Sequence, residues 1–189
     1  MEKEIRQINI SLETRANEET KDKFIEGYIA KYNSRSQYMG FYEEIKKGAF
    51  DNTISDGHNI TALFNHDYNQ LLGSTDNKTL ILTTDDIGLR FSLKVNENIS
   101  YFRDIFELIK SGECRGCSFG FKCNKDAWSY DEAGIDLRYL YEIDISEVTL
   151  TPYPVYKDSE VSCRSFLDHK NELKIKKDKE RLKVELEII

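Results

Sequence analysis

The sequence predicts a mainly β protein of the α+β class, a closed or nearly closed β-barrel with flanking helices. Three observations carry this. Apolar residues alternate with a period of two through much of the chain, several of these runs are joined by hairpin-length connections, and only Tyr101–Lys110 switches clearly to the helical period. About seven to nine strands around one good helix close most economically on themselves, because closure leaves no unpaired edge.

Each element follows in turn. Ile8, Ile10 and Leu12 alternate with Asn9 and Ser11, so residues 5–12 read as a half-buried strand. The polar run Arg15–Lys23 reads as a loop. Phe24–Tyr32 is rich in β-formers and reads as a second strand. Gly48 interrupts Tyr42–Ile54, which predicts only one or two short turns there. Asn59–Phe64 reads as a strand that delivers Asn65, His66 and Asp67 to its end, and Gln70–Ser74 as a short extended piece. Leu80–Thr84 and Ile87–Val95 form a hairpin about Asp85 and Asp86, with Leu89, Phe91, Leu93 and Val95 on one face. Phe102, Ile105, Phe106 and Ile109 fall at i, i+3, i+4 and i+7, an amphipathic helix ended by Ser111 and Gly112. Cys117–Cys123, Ile135–Ile145 and Val148–Pro152 read as further strands. The barrel domain is expected over 1–165. Residues 166–189 carry charges of both signs with sparse aliphatics, a helix or flexible arm.

Composition excludes several classes. A chain of 189 residues suits one domain with a short extension, and at this size folding buries roughly 70% of the unfolded surface, so no disulfide or metal staple is required. Aromatics at 12% and only two prolines argue against disorder. Lys and Arg total 27 against 34 for Asp and Glu, a net charge of −7, which gives no support to a nucleic-acid partner. Met1–Arg6 has no apolar run behind it, so no secretory signal is expected, and no run approaches 18 apolar residues, so no membrane span is expected. The four cysteines then read as reduced thiols of a soluble intracellular protein.

Chemistry-bearing residues are few. Cys114 and Cys117 form a CxxC with Cys123 beyond it, but a zinc site wants a second ligand pair, and a redox CxxC opens a helix rather than following one. Small buried thiols beside a turn are the expectation. Among His58, His66 and His169, His66 is best placed to act as a base, at a strand end between Asn65 and Asp67; a surface or capping histidine is the plain alternative. Ser118 lies in Gly116-Cys117-Ser118-Phe119-Gly120, where glycines let the backbone come close, although the helix-to-strand context is the reverse of a nucleophile elbow. Glu147 interrupts an apolar, β-branched strand, where an acid costs free energy unless it is paired or faces solvent; Glu142 and Asp144 are its neighbours.

These residues occur in an order that resembles the HK97-type phage prohead (capsid maturation) serine proteases, over roughly residues 5–165. The stretches that carry the likeness are residues 26–32, 44–50, Leu63-Phe64-Asn65-His66-Asp67, 71–73, 88–91, Cys117-Ser118-Phe119-Gly120-Phe121 and Ser146-Glu147-Val148-Thr149-Leu150-Thr151-Pro152. Two departures are Cys117, where an apolar residue is common, and Pro152-Tyr153-Pro154-Val155, where the family usually reads Pro-Ala. The resemblance implies a herpesvirus-protease-like β-barrel and a serine endopeptidase that cleaves scaffolding segments from the major capsid protein and commonly cuts itself. It implies Ser118 as nucleophile, His66 as general base, and an acidic third member, Glu147, with Asp144 as fallback because no histidine lies between His66 and His169. The oxyanion would be held by backbone N–H groups of Cys117, Ser118 or Phe119, and no metal or cofactor is called for. Partners would be the capsid protein with its scaffolding segment and a second copy of the chain, inside the prohead in the host cytoplasm. Self-cleavage is expected near Arg164–Ser165 or in the tail. A non-catalytic capsid-assembly or scaffold-binding barrel is the rival of another class, and a small-molecule esterase or amidase a third reading.

Overall fold

Two antiparallel strands of 15 and 16 residues form the spine on which the rest of the chain is laid. The computed structural model describes residues 3–9, 12–18, 22–152 and 160–187. In chain order its elements are β1 (Glu4–Asn9), β2 (Glu13–Ala16), β3 (Lys23–Lys31), β4 (Tyr42–Ile45), α1 (Asp51–Ser55), β5 (Thr61–Phe64), β6 (Asp67–Ser74), β7 (Leu80–Thr84), β8 (Gly88–Lys94), α2 (Ser100–Lys110), β9 (Gly116–Tyr130), β10 (Asp136–Thr151) and α3 (Glu160–Glu187). The protein is mainly β with few helices, as its alternating sequence predicts. Its strands form a six-stranded sheet, ordered β1-β9-β10-β5-β6 with β4 also on β10, and a four-stranded sheet ordered β2-β3-β8-β7. Among the described residues the strands divide into these two sheets, and the larger curls as half of a barrel.

One apolar core joins them. Ile25, Ile29, Leu89, Phe91 and Leu93 come from the four-stranded sheet, and Cys117, Phe119, Phe121, Ile145, Val148 and Leu150 from the six-stranded one. The stripe of α2, Phe102, Ile105, Phe106 and Ile109, is buried against the same core, each side chain contributing roughly 1.5–3 kcal/mol. Gly112, at φ +79°, takes the left-handed turn just past that helix.

Several elements differ from the sequence expectation. Glu13–Ala16, within and just before the expected loop, is an edge strand paired with β3; its four side chains are all exposed, so no alternation marks it. Tyr42–Ile45 is a strand, parallel to the first part of β10, rather than a turn. β9 runs to Tyr130, and the two late strands are one, β10, continuous through a bulge between Ile145 and Glu147. Ile10, Ser11 and Tyr153–Val155 lie outside the described residues, as do the side chains of Arg164 and Ser165. The base of α3 docks where His169 stacks on Trp128 at 4.3 Å and Lys170 pairs with Asp136 at 2.7 Å. No helix of the described residues is long and apolar enough to cross a membrane.

Candidate active site

The two faces of β9 and β10 carry different chemistry. Cys117, Phe119 and Phe121 point into the core, so Ser118 and Gly120 point the other way. Along β10, Ile143 and Ile145 face the core, and simple alternation would put Glu147 there too. The bulge at Ser146 prevents this: Ile145 pairs with Phe121 but Glu147 with Gly120, so one extra residue resets the phase. Glu147 and Thr149 consequently share the outer face with Ser118 and Gly120, while Val148 and Leu150 return to the core. Without that bulge the acid would be buried among aliphatics.

His66 reaches this face from a turn. Phe64 pairs with Asp67 across a two-residue β5–β6 hairpin, and Asn65 and His66 have φ of +51° and +59°. Positive φ at both central residues is the type I′ pattern, for which Asn-Gly is the favoured sequence. A histidine in the glycine position is strained, by about 1–2 kcal/mol, and such strain clusters at functional sites. The Asn65 N–H donates to the Leu150 carbonyl at 3.0 Å, which holds the turn over the end of β10.

The result is a tight histidine–carboxylate pair. His66 Nδ1 lies 2.5 Å from Glu147 Oε1 and 3.3 Å from Thr149 Oγ1. Glu147 is 1% exposed, and Lys3 Nζ sits 2.9 Å from its other oxygen. Burial raises the Glu147 carboxyl, but the hydrogen bond from His66 and the bond and charge of Lys3 outweigh it and bring it down to about 2. The carboxylate is ionised at any ordinary pH and can only accept, so Nδ1 is the donor in this bond. Nε2 is buried and has no hydrogen-bond partner among the described residues.

Ser118 lies one strand away, directly opposite Thr149, so that Thr149 stands between it and His66. It is wholly buried, and its Oγ donates to the Arg6 carbonyl at 2.9 Å rather than to His66. Gly120 is required by the packing: a Cβ there would lie 3.0 Å from Glu147 Cγ and Oε1, and closer still to the Lys3 side chain. The structure thus brings His66 and Glu147 together with Ser118 on the same face. Asp144 is elsewhere, with His58, whose Nε2 is 3.3 Å from its carboxylate.

Other candidates fall into place. Burial raises the thiols of Cys114 to about 11 and of Cys117 and Cys123 to about 12, which makes them poor nucleophiles, and all three are free. Asp56, His58 and Asp144 place their donor atoms within 4.8 Å of one another, a composition that suits a cation, but both His58 nitrogens are already hydrogen-bonded. Sequence reasoning missed Lys3, Thr149 and the Arg6 carbonyl, none of which carries a local signal. Asn65-His66 where Asn-Gly is usual was the signal available for the strained turn.

Comparison with known proteins adds a family. A family model described as caudovirus prohead serine protease matches residues 10–172. The chain is also 32% identical over 101 residues to a prohead protease of Escherichia phage T5, a match that takes in 53% of this chain and 44% of that protein. No solved structure matches.

Proposed function

The chain belongs to the caudovirus prohead serine proteases, and on that premise we propose that it is a serine endopeptidase of phage prohead maturation working through Ser118, His66 and Glu147. The single observation that carries the reading is the pairing of His66 with the buried Glu147 on the face that holds Ser118, with His66 Nε2 left without a partner among the described residues. In this mechanism Nε2 takes the Ser118 proton as Oγ attacks the scissile carbonyl carbon. The tetrahedral oxyanion is met by backbone N–H groups about Ser118. Its collapse breaks the C–N bond as His66 returns the proton to the leaving amine, and water then releases the acyl group by the same steps in reverse. Glu147 acts by fixing the ring tautomer and stabilising the imidazolium. A herpesvirus-protease-like barrel belongs to the same reading.

The proposed substrates are the major capsid protein and its scaffolding segment, cut inside the prohead in the host cell, with a second copy of the chain as a further partner. Cleavage of the chain itself, near Arg164–Ser165 or within the tail, is part of the same proposal; an intact mass that stays at full length in an active preparation would remove it. The non-catalytic assembly barrel draws on one observation, the Ser118 hydroxyl engaged by Arg6. Mass spectrometry of the cognate capsid protein co-expressed with the chain separates the two. A defined segment lost with the wild type and retained with Ser118→Ala supports the protease; identical capsid products favour the assembly barrel.

A further inference from the structure

β1 occupies the strand position beside the candidate nucleophile. It pairs antiparallel with β9 from Glu4 opposite Phe121 to Asn9 opposite Gly116, which sets Gln7 opposite Ser118. With β10 on the other side, β9 has neighbours along both edges, and its N–H groups point alternately at each. The N–H groups about Ser118 that could meet an oxyanion are therefore committed while β1 is in place. The same segment takes up the Ser118 proton at the Arg6 carbonyl and the second Glu147 oxygen at Lys3.

β1 is attached in an unusual way. Among its described side chains none belongs to the apolar core. Glu4 and Arg6 hold it through a buried ion network, beside its main-chain pairing with β9. Arg6 binds Glu43 through two hydrogen bonds of 2.7 and 2.8 Å, and Glu4 binds Arg138 at 2.8 and 3.1 Å. Without β1, Glu43 loses Arg6 but keeps Arg138 at 3.2 Å, and Arg138 also keeps Asp126 at 2.6 Å. The vacated edge would hold two carboxylates against one guanidinium, one net negative charge where Arg6 had been.

We infer that the edge of β9 is the docking site for an extended substrate segment carrying a basic side chain in the Arg6 position, and that β1 is the chain's own strand closing that site until it is displaced. Strand addition to a sheet edge is a general mode of peptide recognition: main-chain bonds give affinity and alternate side-chain sites give selectivity. The inference rests on the protease reading above.

The test uses the full chain and a fluorophosphonate probe, which forms an O–P bond to a reactive serine as fluoride leaves. Directly opposed residues of an antiparallel pair lie about 4.5–5.5 Å apart at Cα, within disulfide range. Ile8→Cys, refolded in a glutathione redox buffer, therefore cross-links to Cys117 and locks β1; peptide mapping verifies the bond. The locked chain should label at Ser118 at least tenfold more slowly than the same chain reduced with a phosphine, and Glu4→Ala should label several-fold faster than wild type. Equal rates for locked and reduced chains overturn the inference. A labelled peptide of residues 3–9 should bind Glu4→Ala, and at least tenfold more weakly when its arginine is replaced by glutamate; equal affinity removes the charge match. Hydrogen exchange separates the two failures: labelling in no chain, although the β1 amides of Glu4→Ala exchange freely, removes Ser118 as nucleophile and with it the protease reading.

Discussion

Two of the protein's histidine–carboxylate clusters lie on either side of β5, one at His58 and one at His66, and their difference shows what separates a structural clamp from a ring with bonding capacity to spare. His58 has every ring nitrogen occupied: Nδ1 by Asp56 at 2.6 Å, and Nε2 by the Ile145 carbonyl at 2.6 Å. Burial lowers its pKa, but the Ile145 carbonyl and the Asp56 and Asp144 carboxylates outweigh it, so the ring is held above the ordinary histidine value. It is a clamp between a turn and β10. His66 has one nitrogen on a buried carboxylate that shares a face with Ser118, and the other without a partner among the described residues. A clamp uses all its bonding capacity at rest, whereas a proton carrier must keep some in reserve.

Substitutions sharpen this contrast. The largest effect is expected from His66→Ala, which should lower capsid-protein cleavage by about 10³-fold or more, while His58→Asn changes it less than about twofold. Activity surviving His66→Ala and lost with His58→Asn would exchange the two roles. Next, Glu147→Gln should cost about 10³–10⁴ in rate, since the imidazolium loses its counter-charge, and Asp144→Asn little; equal losses would restore Asp144 as a contender. Gly120→Ala follows, with a loss on the order of tenfold or more, as its Cβ presses on Glu147. Circular dichroism should show that fold unchanged.

The smallest effects are on stability, and they run in opposite directions with pH. Glu147 titrates near 2 rather than its ordinary 4.5, so its contribution, on the order of 3 kcal/mol, is full above about 4.5 and is lost as pH falls toward 2. His58 is raised, so its contribution is full below about 6.5 and is lost as pH rises through the folded value. Thermal unfolding of His58→Asn against wild type should show a deficit of about 1–2 kcal/mol at pH 6 that shrinks toward pH 9. A deficit independent of pH would mean that the ring acts by packing alone.

Much of the fold was legible where one face of an element is apolar. The stripe of α2 and the alternation of Leu89, Phe91 and Leu93 are direct readouts of burial, and both stand as read. β2 was missed because an edge strand exposed on both faces has no pattern, and β4 because Gly48 drew attention to the turn beyond it. The buried network of Glu4, Arg6, Glu43 and Arg138 joins residues up to 134 positions apart and leaves no local trace. His66, Ser118 and Glu147 each had a plain alternative when taken singly; only their order pointed to chemistry. What brings Glu147 beside His66 is the Ser146 bulge, a one-residue phase change that the sequence does not mark.

The central claim, that Ser118 is activated by His66, is tested most directly by fluorophosphonate labelling of wild type, His66→Ala and His58→Asn, followed by intact mass and peptide mapping. The account predicts a single adduct on Ser118 in wild type and His58→Asn, and at least a hundredfold slower adduct formation in His66→Ala. An adduct on another residue, or labelling of His66→Ala at the wild-type rate, would contradict it.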